Sequence, residues 1–154
     1  MVVYFVDSSA LVKRYVSETG SMWVSDLFAP KLDNEVLIAA ITGVEIVAAI
    51  ARRARGGSIG MTDATAACNQ FRSDLLSDYQ VIDITENIIT SAMTLAESRG
   101  LRGYDAVQLA AACAVNTVCV VNGLSTVIFV SADNELNVAA ASQGLMIENP
   151  NNYP

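Results

Sequence analysis

Five short apolar runs, each separated from the next by residues with helical spacing, set the architecture of this chain. They are Val2–Val6, Glu35–Ala40, Tyr79–Ile84, Thr126–Val130 and Leu145–Ile147. Continuous runs of this length, rather than apolar–polar alternation, belong to strands buried on both faces, as in a parallel sheet covered by helices. Between them lie Ala10–Val16 and Ser21–Phe28, divided by Gly20 and stopped by Pro30. Thr42 reads as the N-cap of a helix reaching about Ala54, where Gly56-Gly57 breaks the chain. Thr62–Asp78 sets Ala66, Ala67, Phe71, Leu75 and Leu76 on one helical face. Thr85 caps a helix over Glu86–Ser98, Asp105 opens a long one to Val121, and Asp133–Gln143 forms the last. Strands alternating with helices predict an α/β layer fold with a mainly parallel sheet of about five strands. No repeat, linker or low-complexity tract interrupts the 154 residues, so residues 1–154 read as one domain.

Composition narrows the chemistry. With 53% apolar residues the chain can fill a core, which excludes disorder. A net charge of −7 argues against a nucleic-acid binder that works through an overall basic field. Histidine is absent, which removes Ser-His-Asp and Cys-His triads, imidazole acid–base pairs and histidine-bearing metal sites. Cys68, Cys113 and Cys119 lack metal-ligand spacing and read as reduced core thiols of a cytoplasmic protein. The first residues, MVVYFVDSS, lack a basic region and meet Asp7 too early for a secretory signal. From Ala106 to Ala132 no residue is charged, a length that could cross a bilayer. Gln108, Asn116, Asn122, Gly123, Ser125 and Thr126 interrupt that run, and no basic anchor follows Arg102. A buried helix, a turn at Asn122-Gly123 and a buried strand account for it without a membrane.

Most of the acidic residues, Glu18 among them, lie in polar stretches or at helix starts. Four sit against apolar sequence: Asp7 after the first strand, Glu45 one turn into the helix after the second, Asp105 at a helix start, and Asp133 after the fourth strand. Taken alone, Asp105 or Asp133 reads as a helix cap and Glu45 as a solvated helix residue, whereas Asp7 has little structural excuse. In an open parallel sheet, ligands bind beyond the carboxyl ends of the strands where strand order reverses. All four positions can therefore meet at one sheet edge. Two carboxylates about 4 Å apart repel by roughly 4 kcal/mol at an effective dielectric near 20. A cation relieves that repulsion, and oxygen-only ligands select a hard ion, Mg2+ or Mn2+. Such an ion suits phosphate chemistry.

These segments resemble a known family. Val6-Asp7-Ser8-Ser9-Ala10-Leu11-Val12-Lys13, the TGVEIVAAI segment around Glu45, Leu101 to Ala110 around Asp105, and FVSADNELNVAA around Asp133 are similar to the four acidic motifs of PIN-domain nucleases. They look most like the VapC-type toxins of prokaryotic toxin–antitoxin pairs, and the ending Gly144-Leu145 to Asn149-Pro150 fits that group. The resemblance runs through nearly the whole chain in the right order. It implies an α/β/α sandwich with an acidic pocket at the C-terminal edge of a five-stranded parallel sheet. It also implies Mg2+- or Mn2+-dependent endoribonuclease activity, commonly as a homodimer, with an antitoxin segment blocking the groove. Asp7 and Asp105 would then be the principal metal ligands, with Glu45 and Asp133 completing the site. Ser9 and Ser131 match flanking hydroxyl positions, and hydrogen bonds to the adjacent backbone turn explain them equally well. The apolar Val118-Cys119-Val120-Val121 is longer than in the shortest members, which bears on helix length and dimer packing.

The implied reaction is in-line attack of metal-activated water on an RNA phosphodiester, leaving a 5′-phosphate and a 3′-hydroxyl. Arg52, Arg53 and Arg55 form a local basic patch beside Gly56-Gly57, and Lys13, Arg14, Arg99 and Arg102 are further candidates for phosphate or partner contact. Each arginine has a second reading as a solvated helix face or the partner of an acid. A receiver domain needs a lysine after a late strand, and the last lysine here is Lys31. A haloacid-dehalogenase-type phosphatase needs an Asp two residues after the first, where Ser9 stands. The rival from another class is a non-catalytic PIN-like protein- or RNA-binding module.

Overall fold

A computed structural model describes all 154 residues. The chain runs β1 (Val2–Val6), α1 (Ser8–Leu11) with a 3-10 turn at Val12–Arg14, α2 (Ser21–Asp26), β2 (Asn34–Ala39), α3 (Thr42–Arg55) and α4 (Met61–Asp74). It continues through β3 (Gln80–Ile82), α5 (Glu86–Arg99), α6 (Gly103–Val121), β4 (Val127–Val130), α7 (Asn134–Ser142) and β5 (Met146–Glu148), ending in a 3-10 turn at Pro150–Asn152. All five strands are parallel, in the order β3-β2-β1-β4-β5. The chain therefore builds outward from β1 to one side and then to the other, and the order reverses between β1 and β4.

Side-chain alternation along the strands divides the core in two and explains the third layer. Val3 and Phe5 of β1 and Phe129 of β4 face α5, α6 and α7, packing with Ile88, Leu109, Leu136 and Ala140. Val6, Ile38 and Val130 point the other way, onto Leu11, Ile46, Ile50 and Phe71 of α1, α3 and α4. The Phe5 and Phe129 rings stack with centroids 6.1 Å apart across the register pair that joins β1 to β4. Each fully buried side chain of this size contributes roughly 2 kcal/mol by leaving water. The expected α/β/α sandwich with its five-stranded parallel sheet is what forms.

Several boundaries differ from the sequence reading, each for a local reason. The first helix starts at Ser8 rather than Ala10 because Asp7 caps it, accepting from the Ala10 N–H at 3.2 Å. Thr42 caps nothing: it is the first helical residue of α3, fully buried, and its hydroxyl accepts from Gln108. Leu76, assigned above to a buried helical face, is 91% exposed because α4 ends at Asp74 and the helical phase is lost. Thr85 does cap α5, accepting from the Ile88 N–H at 3.2 Å.

The uncharged stretch resolves as expected. Helix α6 is the one helix long and apolar enough to cross a membrane. It packs along α5 and the sheet, with Ala106 and Gln108 to Ala112 buried. At its end Gly123 takes a left-handed φ of 69°, Leu124 N–H donates to the Cys119 carbonyl, and the chain turns into β4. The three cysteines are free thiols. Gly20 is required where it stands: its φ is 85°, and a Cβ there would lie 2.3 Å from the Pro150 carbonyl oxygen. Beside it, Trp23 stacks on Tyr153 with centroids 4.9 Å apart, tying α2 to the C-terminal turn.

Candidate active site

The ends of β1 and β4, at the reversal of strand order, are joined by a hydroxyl network. The Ser9 hydroxyl donates to Asp7 Oδ1 at 2.7 Å, and the Ser131 hydroxyl donates to Asp7 Oδ2 at 3.0 Å. Ser9 and Ser131 lie 3.2 Å apart, Ser9 accepts from the Ala132 N–H, and Ser131 accepts from the Asp133 N–H. Each of these serines satisfies nearby backbone and also orients the Asp7 carboxylate.

Asp7 is only 2% exposed and forms no ion pair. Burial pushes its pKa up to about 7, with a smaller upward push from Asp105. The hydrogen bonds from Ser9, Ala10 and Ser131 act in the opposite sense. Its capping of α1 supplies the structural excuse that strand patterning lacked, but one cap does not explain three donors around a buried acid.

Glu45 reaches the same place from the first turn of α3. Ser8 Oγ donates to its Oε2 at 3.1 Å, and Gln108 Nε2 donates to its Oε1 at 2.8 Å. Asp105 is the third residue of α6, whose N-cap is Arg102, so it is free of capping duty. Burial raises its pKa first, then the charges of Asp133 and Glu45, while Arg102 offsets part of the effect. Asp133 caps α7, accepting from the Leu136 N–H at 3.1 Å. Glu45, Asp105 and Asp133 line one cleft of about 780 Å3, with Ser8 and Ser9 beside them and Asp7 buried behind.

The four acids thus meet at one edge, but no three of them form a ready-made metal cage. Asp7, Glu45 and Asp133 are turned onto local donors instead, while Asp105 accepts no hydrogen bond. The donor set is nonetheless all oxygen, and it includes a buried carboxylate without a counter-charge and a second held high by burial and then by its acidic neighbours. That chemistry fits a hard divalent cation and not zinc or copper.

The basic candidates separate. Lys13, Arg52, Arg53 and Arg102 line the cleft. Arg14 does not: its guanidinium donates to Asp78 at 2.6 Å and to the Tyr79 hydroxyl at 2.7 Å, and lies 3.8 Å over the Phe28 ring. It braces the turn between α4 and β3 rather than meeting a ligand. Arg55 and Arg99 are exposed and stand outside the cleft lining.

Four residues escaped the sequence reading. Gln108 and Thr42 are completely or almost completely buried, and Gln108 Nε2 donates to both Thr42 and Glu45 at 2.8 Å. The signal was a lone amide three residues after Asp105, hence on the same helical face, in an otherwise apolar run. Ser8 and Tyr104 adjoin the acidic motifs, and both line the cleft.

Residues 4–141 match the family described as the PIN domain. The chain belongs to the PIN-domain family. This PIN domain is 34% identical over 113 residues to Ribonuclease VapC45 of Mycobacterium tuberculosis (strain CDC 1551 / Oshkosh), covering 73% of this chain and 76% of that protein. Its fold is similar to the crystal structure of PAE2754 from Pyrobaculum aerophilum, at 25% identity and TM-score 0.63, covering 95% of this chain and 89% of the other. It is also similar in fold to VapBC2 from Rickettsia felis, solved with a DNA fragment from its promoter. There the identity is 17% and the TM-score 0.63, covering 96% of this chain and 98% of that one. The second likeness bears on fold alone.

Proposed function

We propose that this PIN domain is a divalent-metal-dependent endoribonuclease that hydrolyses RNA phosphodiester bonds. The observation that carries this reading is the convergence of Glu45, Asp105 and Asp133 on one cleft, with Asp7 directly behind it. The likeness to a protein named a ribonuclease points the same way.

In this reading Asp7, Glu45, Asp105 and Asp133 would hold Mg2+ or Mn2+. The bound ion supplies Lewis acidity toward a phosphoryl oxygen and lowers the pKa of an attacking water. The chain's own residues prepare the site. Ser9 and Ser131 orient Asp7, while Ser8 and Gln108 each bond one oxygen of Glu45 and leave its remaining lone pairs free. Arg102, within electrostatic reach of Asp105, offers a positive charge for a phosphate at the cleft mouth.

The reading extends to physiology: a toxin of a type II toxin–antitoxin pair, cytoplasmic, homodimeric, and silenced by an antitoxin segment in the cleft. Purified protein incubated with pooled cellular RNA tests the chemistry. Cleavage with Mg2+ that stops in EDTA, resumes on re-addition and vanishes in Asp105→Asn supports the nuclease. RNA binding without cleavage would make the protein a non-catalytic module instead. Growth arrest on expression, relieved by the product of a small adjacent gene, tests the toxin role.

A further inference from the structure

Away from the acids, the same cleft ends in a second constellation. Arg53 Nε and Nη2 both reach Glu18 Oε1, at 2.8 and 2.6 Å, and Lys13 Nζ lies 3.4 Å from Glu18 Oε2. Glu18 is itself held, since its N–H donates to Ser21 Oγ at 2.9 Å and that hydroxyl donates to the Val16 carbonyl. Lys13 is only 7% exposed, an unusual depth for an ammonium whose single ionic partner is shared. Arg52 adds another positive charge to the lining. Three cations against one carboxylate leave this end net positive, whereas the other end carries Glu45, Asp105 and Asp133.

A purely structural ion pair would not need the surplus. Lys13 has three N–H donors and uses one, and Arg53, with Nε and Nη2 on Glu18 and Nη1 donating to the Ala49 carbonyl at 3.2 Å, keeps one N–H on each terminal nitrogen. Lys13 follows Asp7 by six residues of helical and 3-10 backbone, roughly 9 Å or more along the axis. A phosphate bound there is therefore one that flanks the scissile bond, not the scissile phosphate itself.

We propose that Lys13, Arg52 and Arg53 form a backbone-phosphate subsite for single-stranded RNA, and that Glu18 is the positioning residue that holds Lys13 and Arg53 in place for it. This rests on the RNA-binding part of the function proposed above.

The test sets charge count against orientation. Removing a carboxylate makes the cleft more positive, so a bare electrostatic effect would tighten RNA binding. A positioning role predicts the opposite sign. The Kd of a fluorescein-labelled single-stranded RNA is measured by anisotropy in EDTA, apart from cleavage, at several KCl concentrations. Lys13→Met and Arg53→Gln are expected to raise Kd roughly tenfold each and to flatten the log Kd against log salt slope by about 0.7 per lost contact. Glu18→Ala is expected to raise Kd severalfold despite its extra net charge, while the exposed Glu97→Ala leaves it level or lowers it. Thermal melts confirm that each variant is folded.

Three results overturn the subsite: no RNA binding by the wild type, an unchanged slope in both cation variants, or a Glu18→Ala Kd at or below wild type. Mg2+-dependent cleavage is scored separately on the same preparations. Intact cleavage with unmoved Kd values sinks the subsite alone, and normal binding with no cleavage sinks only the nuclease chemistry.

Discussion

Replacing Asp7 by asparagine is expected to make the metal-free protein more stable, although it removes a residue central to the proposed activity. The carboxyl titrates at about 7 in the fold against an ordinary 3.8. As pH rises, the unfolded chain loses this proton first, and the folded chain keeps it until about pH 7. Between those values the native state binds more protons, so stability falls with pH, and above the folded value the whole penalty applies. A difference of about three pH units corresponds to about 4 kcal/mol. Asparagine keeps an oxygen for the Ala10 N–H and Ser9 but places an amide where Ser131 now donates, a loss of about 1 kcal/mol. The net gain at pH 8 is then roughly 2–3 kcal/mol, or about 5–10 °C in Tm for a domain of this size. Circular-dichroism melts in EDTA from pH 4.5 to 8.5 measure it. The Asp7→Asn advantage should grow through that range and nearly vanish at its acid end. Mg2+ should raise the wild-type Tm and leave the variant unmoved. An Asp7→Asn protein that melts at or below wild type at pH 8, or a difference independent of pH, refutes the account of a buried, uncompensated carboxylate.

Asp105→Asn should lower Mg2+-dependent RNA cleavage by roughly 100-fold or more with an unchanged far-ultraviolet spectrum, since Asp105 makes no cap or hydrogen bond that the helix needs. Gln108→Leu, which frees Glu45 Oε1, should weaken Mg2+ binding by calorimetry about 10- to 100-fold while the fold persists. An unchanged affinity would show that Ser8 alone holds Glu45. Gly20→Ala should lower stability in urea titrations by about 2 kcal/mol or more, because it combines a left-handed φ with a close approach to Pro150.

Much of this molecule was legible in the linear chain because the relevant signals are local. Uninterrupted apolar runs such as Val2–Val6 can only be satisfied by burial on both faces, which demands parallel strands under helices. A carboxylate set against apolar sequence is out of place, and that marked Asp7 and Asp133 at strand ends and Glu45 and Asp105 in first helical turns. The turn at Asn122-Gly123 was equally readable, since glycine adopts the left-handed backbone at little cost. Pairing across long separations was not readable. Glu18 looked like one polar-stretch acid among many until the fold set it between Lys13 and Arg53, thirty-five residues away in the latter case. Arg14 was indistinguishable from its basic neighbours until Asp78, Tyr79 and Phe28 closed around it. Gln108 seemed only to dilute an apolar run, because nothing in its own helix discloses the Glu45 it serves. Periodicity reports which face of a segment meets the core. Which charges share a cleft depends on the strand order that carries α1, α3, α6 and α7 to one sheet edge, and that order is settled only when the whole chain has packed.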